Sequence, residues 1–364
     1  MIKKRVLILV NHDIVIYNFR KELVERLISE GAEVYISSPY GERIKELISM
    51  GCQYQEINLD RHGTNIINEL KLIKLYKDLV KRVNPDVVLT YTIKPNIYGG
   101  IACKSQGVPY IANITGLGTA VEKKGILQKI IILLYRHSFK KVQTVFFQNK
   151  ENNQFFEDNK IALGKHKLIP GSGVNLNDFC LLTYPPEENI EFLFISRIMK
   201  EKGIDQYLEA AQNIRSKYPN TKFHICGFCE EAYEEVLEEL QKKDVIKYHG
   251  MLRNVKEILS KTHCTVHPSY YPEGISNVLL ESASSGRPII TTNRSGCKEV
   301  VEEGVNGFLV EPKNGKDLTE KLITFIEMKY DEKRDMGLNG RQKVEREFNR
   351  NIVVEEYLKE IKNI

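Results

Sequence analysis

No stretch of this sequence is apolar for long enough to cross a bilayer. The longest late run, Ile130-Ile-Ile-Leu-Leu134, falls far short of the roughly 20 residues a spanning helix needs. The apolar run that follows Lys3-Lys-Arg5 stops at Asn11-His12-Asp13, too short for the core of a signal peptide and without a cleavage site. It is expected to be a first buried strand of a cytoplasmic protein. Cysteine is sparse, with seven residues scattered at 52, 103, 180, 226, 229, 264 and 297. An odd number without an export signal implies reduced thiols, and the sequons at Asn113 and Asn293 then carry no consequence. Excess charge is also small: a net +5, with no nucleic-acid motif, suits an anionic small ligand or a membrane surface better than RNA or DNA. The loop Asn11-His-Asp-Ile-Val-Ile16 lacks the glycine fingerprint of a dinucleotide site, which disfavours a nicotinamide dehydrogenase.

What is present is ordinary globular composition, 42% hydrophobic and 28% charged over 364 residues, a length that favours two hydrophobic cores. Short apolar or β-branched runs alternate with amphipathic stretches. The runs Arg5–Val10, Glu33–Ser37, Tyr54–Leu59, Asp86–Thr90, Tyr110–Ile114 and Thr144–Gln148 are predicted strands. Several are continuously apolar, as expected of a parallel sheet covered on both faces. The pattern restarts after Pro170-Gly-Ser-Gly-Val-Asn175 and Pro185-Pro186, with strands at Glu191–Ser196, Lys222–Cys226, Val245–His249, Thr262–His267, Pro288–Thr292 and Phe308–Val310. The fold class is therefore α/β, two Rossmann-like domains over residues 1–172 and 173–349. The helical stretch Ile352–Ile361, within 350–364, is expected to return to the first. Two such domains facing each other would leave a cleft at the carboxyl ends of both sheets, where open α/β sheets bind ligands.

After the strand ending at His267, the loop Tyr270-Tyr-Pro-Glu-Gly274 leads into a helical stretch Ser276–Ser285. A helix N-terminus offers N–H donors and partial positive charge to a diphosphate, here through Ile275, Ser276 and Asn277, and Gly274 permits close approach. Glu273 precedes that helix and Glu281 lies about one and a half turns into it, so the two carboxylates can hold diols at opposite ends of one ligand. Taken alone, Glu273 also fits a favourable partner of the helix dipole, and Glu281 a solvated helix residue. Arg197 and Lys202, in Ser196-Arg-Ile-Met-Lys-Glu-Lys-Gly203, follow the first strand of the second domain. They could neutralise a pyrophosphate, or form surface ion pairs.

Ser196-Arg197…Lys202-Gly203, the seven-residue gap between Glu273 and Glu281, and Gly304-Val-Asn-Gly-Phe-Leu-Val310 together resemble family 4 of the retaining glycosyltransferases, over nearly the whole chain. The resemblance implies the GT-B architecture, with acceptor bound by the N-terminal domain and nucleotide sugar by the C-terminal one. It implies that Arg197 and Lys202 bind donor phosphates, Glu273 the sugar hydroxyls and Glu281 the ribose, with Gly250–Arg253 near the base. No cofactor and no metal are expected, and the chain has no Asp-x-Asp element to hold one. Relatives similar across 90–100 and 113–118 build bacterial surface polysaccharides, capsule or O-antigen, on lipid-linked acceptors.

On the acceptor side the candidates are His12, Lys94, Asn113, Gly116 and Gly118, all in loops after strands. The stretch Val121–Val142 carries Lys123, Lys124, Lys129, Arg136, Lys140 and Lys141 against Glu122, interleaved with Ile126, Leu127, Ile130, Ile131, Leu133 and Leu134. It reads as a basic amphipathic helix suited either to the inner face of the plasma membrane, where a polyprenyl-diphosphate-linked saccharide would be met, or to ordinary core packing with solvated lysines.

The expected reaction is retaining transfer of a hexose-type sugar from a UDP-linked donor, the leaving phosphate taking the acceptor's proton. An inverting enzyme would instead need a base such as His12. A sugar-nucleotide epimerase and a silent sugar-nucleotide-binding protein are the other readings. Cys226-Gly-Phe-Cys229 has redox-motif spacing but falls where the resemblance expects a glycine-containing ligand loop. His263 and His267 are expected to pack in the core.

Overall fold

The computed structural model describes residues 2–57, 66–118, 121, 124–252 and 254–364. The chain divides into two compact units, Met1–Gly173 with Arg350–Ile364, and Val174–Asn349.

In the first unit, β1 (Arg5–Leu9), β2 (Glu33–Ser38), β3 (Gln53–Glu56), β4 (Val87–Tyr91), β5 (Tyr110–Ile114), β6 (Thr144–Phe147) and β7 (His166–Leu168) form a parallel sheet in the order β3-β2-β1-β4-β5-β6-β7. Its continuous apolar strands follow from a core on each face. Val6, Ile8, Val87, Leu89 and Ile111 enter one cluster, while Leu7, Leu9, Val88, Ala112 and Val145 enter the other, the period of two that a pleated strand imposes.

The terminal helix Arg350–Lys362 completes this unit. The Tyr357 hydroxyl accepts from Asn113 Nδ2 at 2.6 Å, and its ring packs on Phe146 with centroids 4.7 Å apart. Glu360 pairs with Lys167 at 2.5 Å and accepts from the Thr144 hydroxyl. Arg350 reaches Glu22 at 2.9 Å and the Gly173 carbonyl.

In the second unit, β8 (Ile190–Ile195), β9 (Thr221–Cys226), β10 (Lys247–Tyr248), β11 (Cys264–His267), β12 (Ile289–Thr292) and β13 (Gly307–Val310) form a parallel sheet in the order β10-β9-β8-β11-β12-β13. Both sheets reverse direction of winding next to their first strand, between β1 and β4 and between β8 and β11. These are the points where the loops at the carboxyl ends diverge and leave room for a ligand.

The structure departs from the sequence reading at several edges. The third predicted strand ends at Glu56, and residues 58 and 59 lie outside the described set. The strand expected over Val245–His249 shrinks to Lys247–Tyr248, at a sheet edge where one neighbour suffices. β7 was not anticipated, because His166-Lys-Leu168 has neither length nor pattern and owes its extended form to pairing with β6. The basic stretch at 121–142 becomes a regular helix at Ile126, after an extended Gly125, and ends at Ser138. Its residues 122 and 123 lie outside the described set. Among the described residues no helix is long and apolar enough to cross a membrane.

Candidate functional site

The loops after β8 and β11 flank the turning point of the second sheet and are built against each other. Gly203 has φ +79°, and a Cβ there would lie 2.2 Å from the Pro268 carbonyl oxygen, so only glycine lets the two loops touch. The Tyr270 N–H donates to the Glu201 carbonyl at 2.9 Å. Gly296, at φ +93°, seals the other side, where a Cβ would meet the Gly274 carbonyl oxygen at 2.6 Å.

This packing brings residues 71 positions apart into contact: the buried Lys202 ammonium donates to Glu273 Oε1. The same oxygen accepts from the Ser269 hydroxyl at 3.2 Å and faces His267 Nε2 at 3.7 Å. Burial alone would push the Glu273 carboxyl up, but the Lys202 ammonium and the His267 ring outweigh it and hold the group well below the usual carboxylate range. Glu273 is therefore ionised at any ordinary pH. Arg197 pairs with Glu230 at 3.2 Å. Both cations also approach the Tyr271 ring, Arg197 Cζ at 5.4 Å and Lys202 Nζ at 4.8 Å from its centroid.

The helix that follows runs Asn277–Ser284, with Ser276 as its N-cap residue. Ser276 makes no capping bond; its hydroxyl lies 3.3 Å from His267 Nε2 and its N–H donates to the Gly296 carbonyl at 2.8 Å. The Ser276 N–H is thus committed within the protein and is not a donor for a ligand. The Ile275 side chain packs into the hydrophobic cluster beneath the helix. Asn277 opens the helix, and Glu281 sits in its second turn, part-exposed. Gly250, at φ +65°, follows β10, and its carbonyl accepts from the Gly227 N–H at 2.8 Å. Arg253 lies outside the described residues.

Four of the acceptor-side candidates follow the neighbouring strands β1, β4 and β5 at the carboxyl edge of the first sheet, whereas Asn113, expected in a loop, lies inside β5, where its backbone continues the pairing with β4. His12 Nδ1 lies 2.6 Å from Asp13 Oδ1 and 3.3 Å from the Ile14 N–H. One nitrogen cannot donate to the first and accept from the second. The recorded hydrogen bond is the one from the Ile14 N–H, which makes Nδ1 the acceptor and His12 the helix cap; the Asp13 carboxylate is fully buried, and its Oδ1 makes no hydrogen bond among the described residues. Its Oδ2 accepts from the Arg43 N–H at 2.6 Å, and a Cβ on Gly41 would fall 2.1 Å from Oδ1. Lys94 pairs with Glu69 at 2.7 Å. Asn113 is buried, its amide shared between Tyr357 and Gln148. Gly116 and Gly118 have φ +151° and +69°, which keeps side chains out of that loop.

Sequence reasoning left out Tyr271 and Glu230, and read His267 as a core residue. His267 is indeed buried, but its Nε2 faces Glu273. Placement directly before the Pro268-Ser269 loop was the one signal of this. The two cysteines of the redox-like motif are both free, and burial raises both thiols, Cys226 to about 12, so neither is an activated thiolate.

Comparison with known proteins bears on the family and the fold. The family described as Glycosyl transferase 4-like matches residues 5–149 and that described as Glycosyl transferases group 1 matches residues 184–343. The N,N'-diacetylbacillosaminyl-diphospho-undecaprenol alpha-1,3-N-acetylgalactosaminyltransferase of Campylobacter jejuni is 27% identical over 94% of each chain. The UDP-Gal:alpha-D-GlcNAc-diphosphoundecaprenol alpha-1,3-galactosyltransferase of Escherichia coli is 24% identical over 78% of this chain and 77% of its own. Among solved structures, Anabaena HepE in complex with UDP and glucose superposes with a TM-score of 0.79 at 17% identity, covering 100% of each chain. With one glycosyltransferase family matched on each unit and the fold shared with glycosyltransferases of known structure, this chain belongs to the GT-B glycosyltransferases of the group 1 and 4-like type.

Proposed function

We propose that this glycosyltransferase moves a hexose-type sugar, with retention and without a metal, from a UDP-sugar to a polyprenyl-diphosphate-linked saccharide during assembly of a surface polysaccharide. The observation that carries the reading is the convergence of Lys202, Arg197 and Glu273 at the turning point of the second sheet. Two fixed cations can take up the charge that develops on a departing diphosphate, and an ionised carboxylate beside them can accept hydrogen bonds from sugar hydroxyls. Glu281, in the second turn of the helix that follows, is suited to the ribose diol. The acceptor class is supported by the two relatives whose names specify undecaprenol-diphosphate-linked sugars.

The departing phosphate oxygen is basic enough to take the acceptor's proton, so no protein base is required. The place of His12 after β1, beside the buried Asp13 carboxylate, favours a second reading, in which His12 removes that proton and the configuration inverts. Product analysis separates them. UDP-sugars and other nucleotide sugars are supplied with a polyprenyl-diphosphate saccharide, and the new linkage is examined by NMR. An anomeric configuration equal to the donor's is expected; the opposite one sinks the retaining reading, and no transfer from any donor sinks both.

We further propose that the first unit rests on the inner face of the plasma membrane. The helix Ile126–Ser138 exposes Ile126, Leu127, Ile130 and Leu133, with Leu127 52% and Leu133 61% accessible. Lys124, Lys129, Arg136, Lys140 and Lys141 are exposed around them. Aliphatic side chains ringed by cations suit the headgroup boundary of an anionic bilayer. Replacing both Leu127 and Leu133 by serine should reduce co-sedimentation with phosphatidylglycerol vesicles by roughly tenfold or more, since each removes most of a buried leucine's transfer energy. Unchanged sedimentation would exclude this face as the docking site.

A further inference from the structure

We infer that Tyr271 is a positioning residue for the diphosphate, its ring holding Arg197 and Lys202 together without neutralising them. The inference rests on the donor-site reading above and deepens it.

Two like charges directed at one small region repel each other, and something must hold them before a ligand arrives. Each is paired with a carboxylate before a ligand arrives, Arg197 with Glu230 and Lys202 with Glu273, and a diphosphate must draw the cations out of those pairs. A carboxylate that stays paired cancels the charge that a phosphate needs. The face of an aromatic ring attracts a cation through its quadrupole and carries no net charge, so it can keep the cation in place and leave its field intact. Arg197 Cζ and Lys202 Nζ stand 5.4 and 4.8 Å from the Tyr271 centroid, both within the range of this attraction.

The local chain fixes the ring. Pro272 follows Tyr271 and confines its backbone to extended conformations. The Tyr271 N–H donates to the Ser269 hydroxyl at 3.3 Å, and that hydroxyl in turn donates to Glu273. The Tyr270 N–H is anchored on Glu201, one residue before Lys202. The ring is thus placed by the same short loop that places the sugar-side carboxylate, and the cations of the other loop are brought to it.

The test weakens the ring face without changing its shape. Tyr271→Phe is compared with proteins carrying difluoro- and trifluorophenylalanine at the same position, and Tyr271→Leu removes the ring altogether. Affinities for UDP and for uridine are measured by calorimetry, with KM and kcat for the donor. Tyr271→Phe also removes the hydroxyl's hydrogen bond to Arg197, so it should lower UDP affinity by a few fold and serves as the reference for the fluorinated rings. Fluorination should lower UDP affinity stepwise, to roughly a tenth for the trifluorinated ring, with uridine affinity unchanged. The donor's KM should rise with it. A flat response to fluorination, or equal losses for UDP and uridine, would overturn the inference while leaving the donor site standing. A wild type that binds UDP no better than uridine would remove the donor-site reading itself.

Discussion

Glu273→Gln should abolish most turnover, with kcat lowered on the order of a hundredfold or more, while UDP affinity changes by only a few fold. Glutamine keeps the shape of the side chain but loses the charge that pairs with Lys202. It also replaces two acceptor oxygens by one, which weakens its hold on sugar hydroxyls. Because Lys202 is buried, removing its counter-charge also leaves a cation without compensation in the empty site. A diphosphate can supply that compensation, which is why nucleotide binding should survive. Lys202→Ala should do the reverse, weakening UDP by about tenfold or more and uridine hardly at all. Initial rates and calorimetric titrations check both. Full turnover by the two variants would show that the chemistry lies elsewhere.

Gly227→Ala is expected to have the largest effect on stability. Gly227 has φ +142°, a conformation that costs other residues heavily, and a Cβ there would lie 1.8 Å from the Ser196 carbonyl oxygen and 3.7 Å from the Arg197 nitrogen. The neighbour is backbone and cannot rotate away. Strain and overpacking together should cost about 3 to 5 kcal/mol, read as a lower urea midpoint for the second unit. The shifted Arg197 should weaken UDP binding as well. Gly250→Ala is the matched control: its φ is +65° but nothing lies within 4 Å of the new atom, so the cost should be about 1 kcal/mol. Equal midpoints for the two alanine variants would refute the steric argument.

The same glycine shows where sequence reasoning succeeded and where it stopped. The alternation of buried strands and amphipathic stretches exposed the two sheets, because strands covered on both faces must be apolar throughout. The loop containing Arg197 and Lys202, and the helix carrying Glu281, were legible as loops at the carboxyl ends of strands. The direct contact of Lys202 with Glu273 was not, since it depends on β11 lying beside β8 and not beside the strand before it in the chain. Tyr271 was invisible for the same reason: a ring becomes a cation seat only when another loop is folded onto it. Ser276 was misread because a helix start predicts open donors, whereas the neighbouring Gly296 carbonyl had already claimed its N–H. A glycine-containing loop was expected at Gly227 from the resemblance alone, and the approach of the Ser196 carbonyl supplies the steric reason. Asn113 was expected in a loop but lies inside β5, and its environment was not legible because its partner Tyr357 comes from the helix Arg350–Lys362.

That late partner has a consequence for synthesis. Residues 174–349 are contiguous and hold a complete sheet, whereas the first unit includes the helix Arg350–Lys362. On the ribosome, residues 1–173 therefore emerge before 174–349 and yet are completed as a unit only after them. Until the final helix emerges, the hydrophobic surface that Val353, Val354, Tyr357, Leu358 and Ile361 cover in the folded unit is left open on the nascent chain. Truncation before residue 350 should consequently yield a product whose middle is sound and whose beginning is prey for chaperones and proteases.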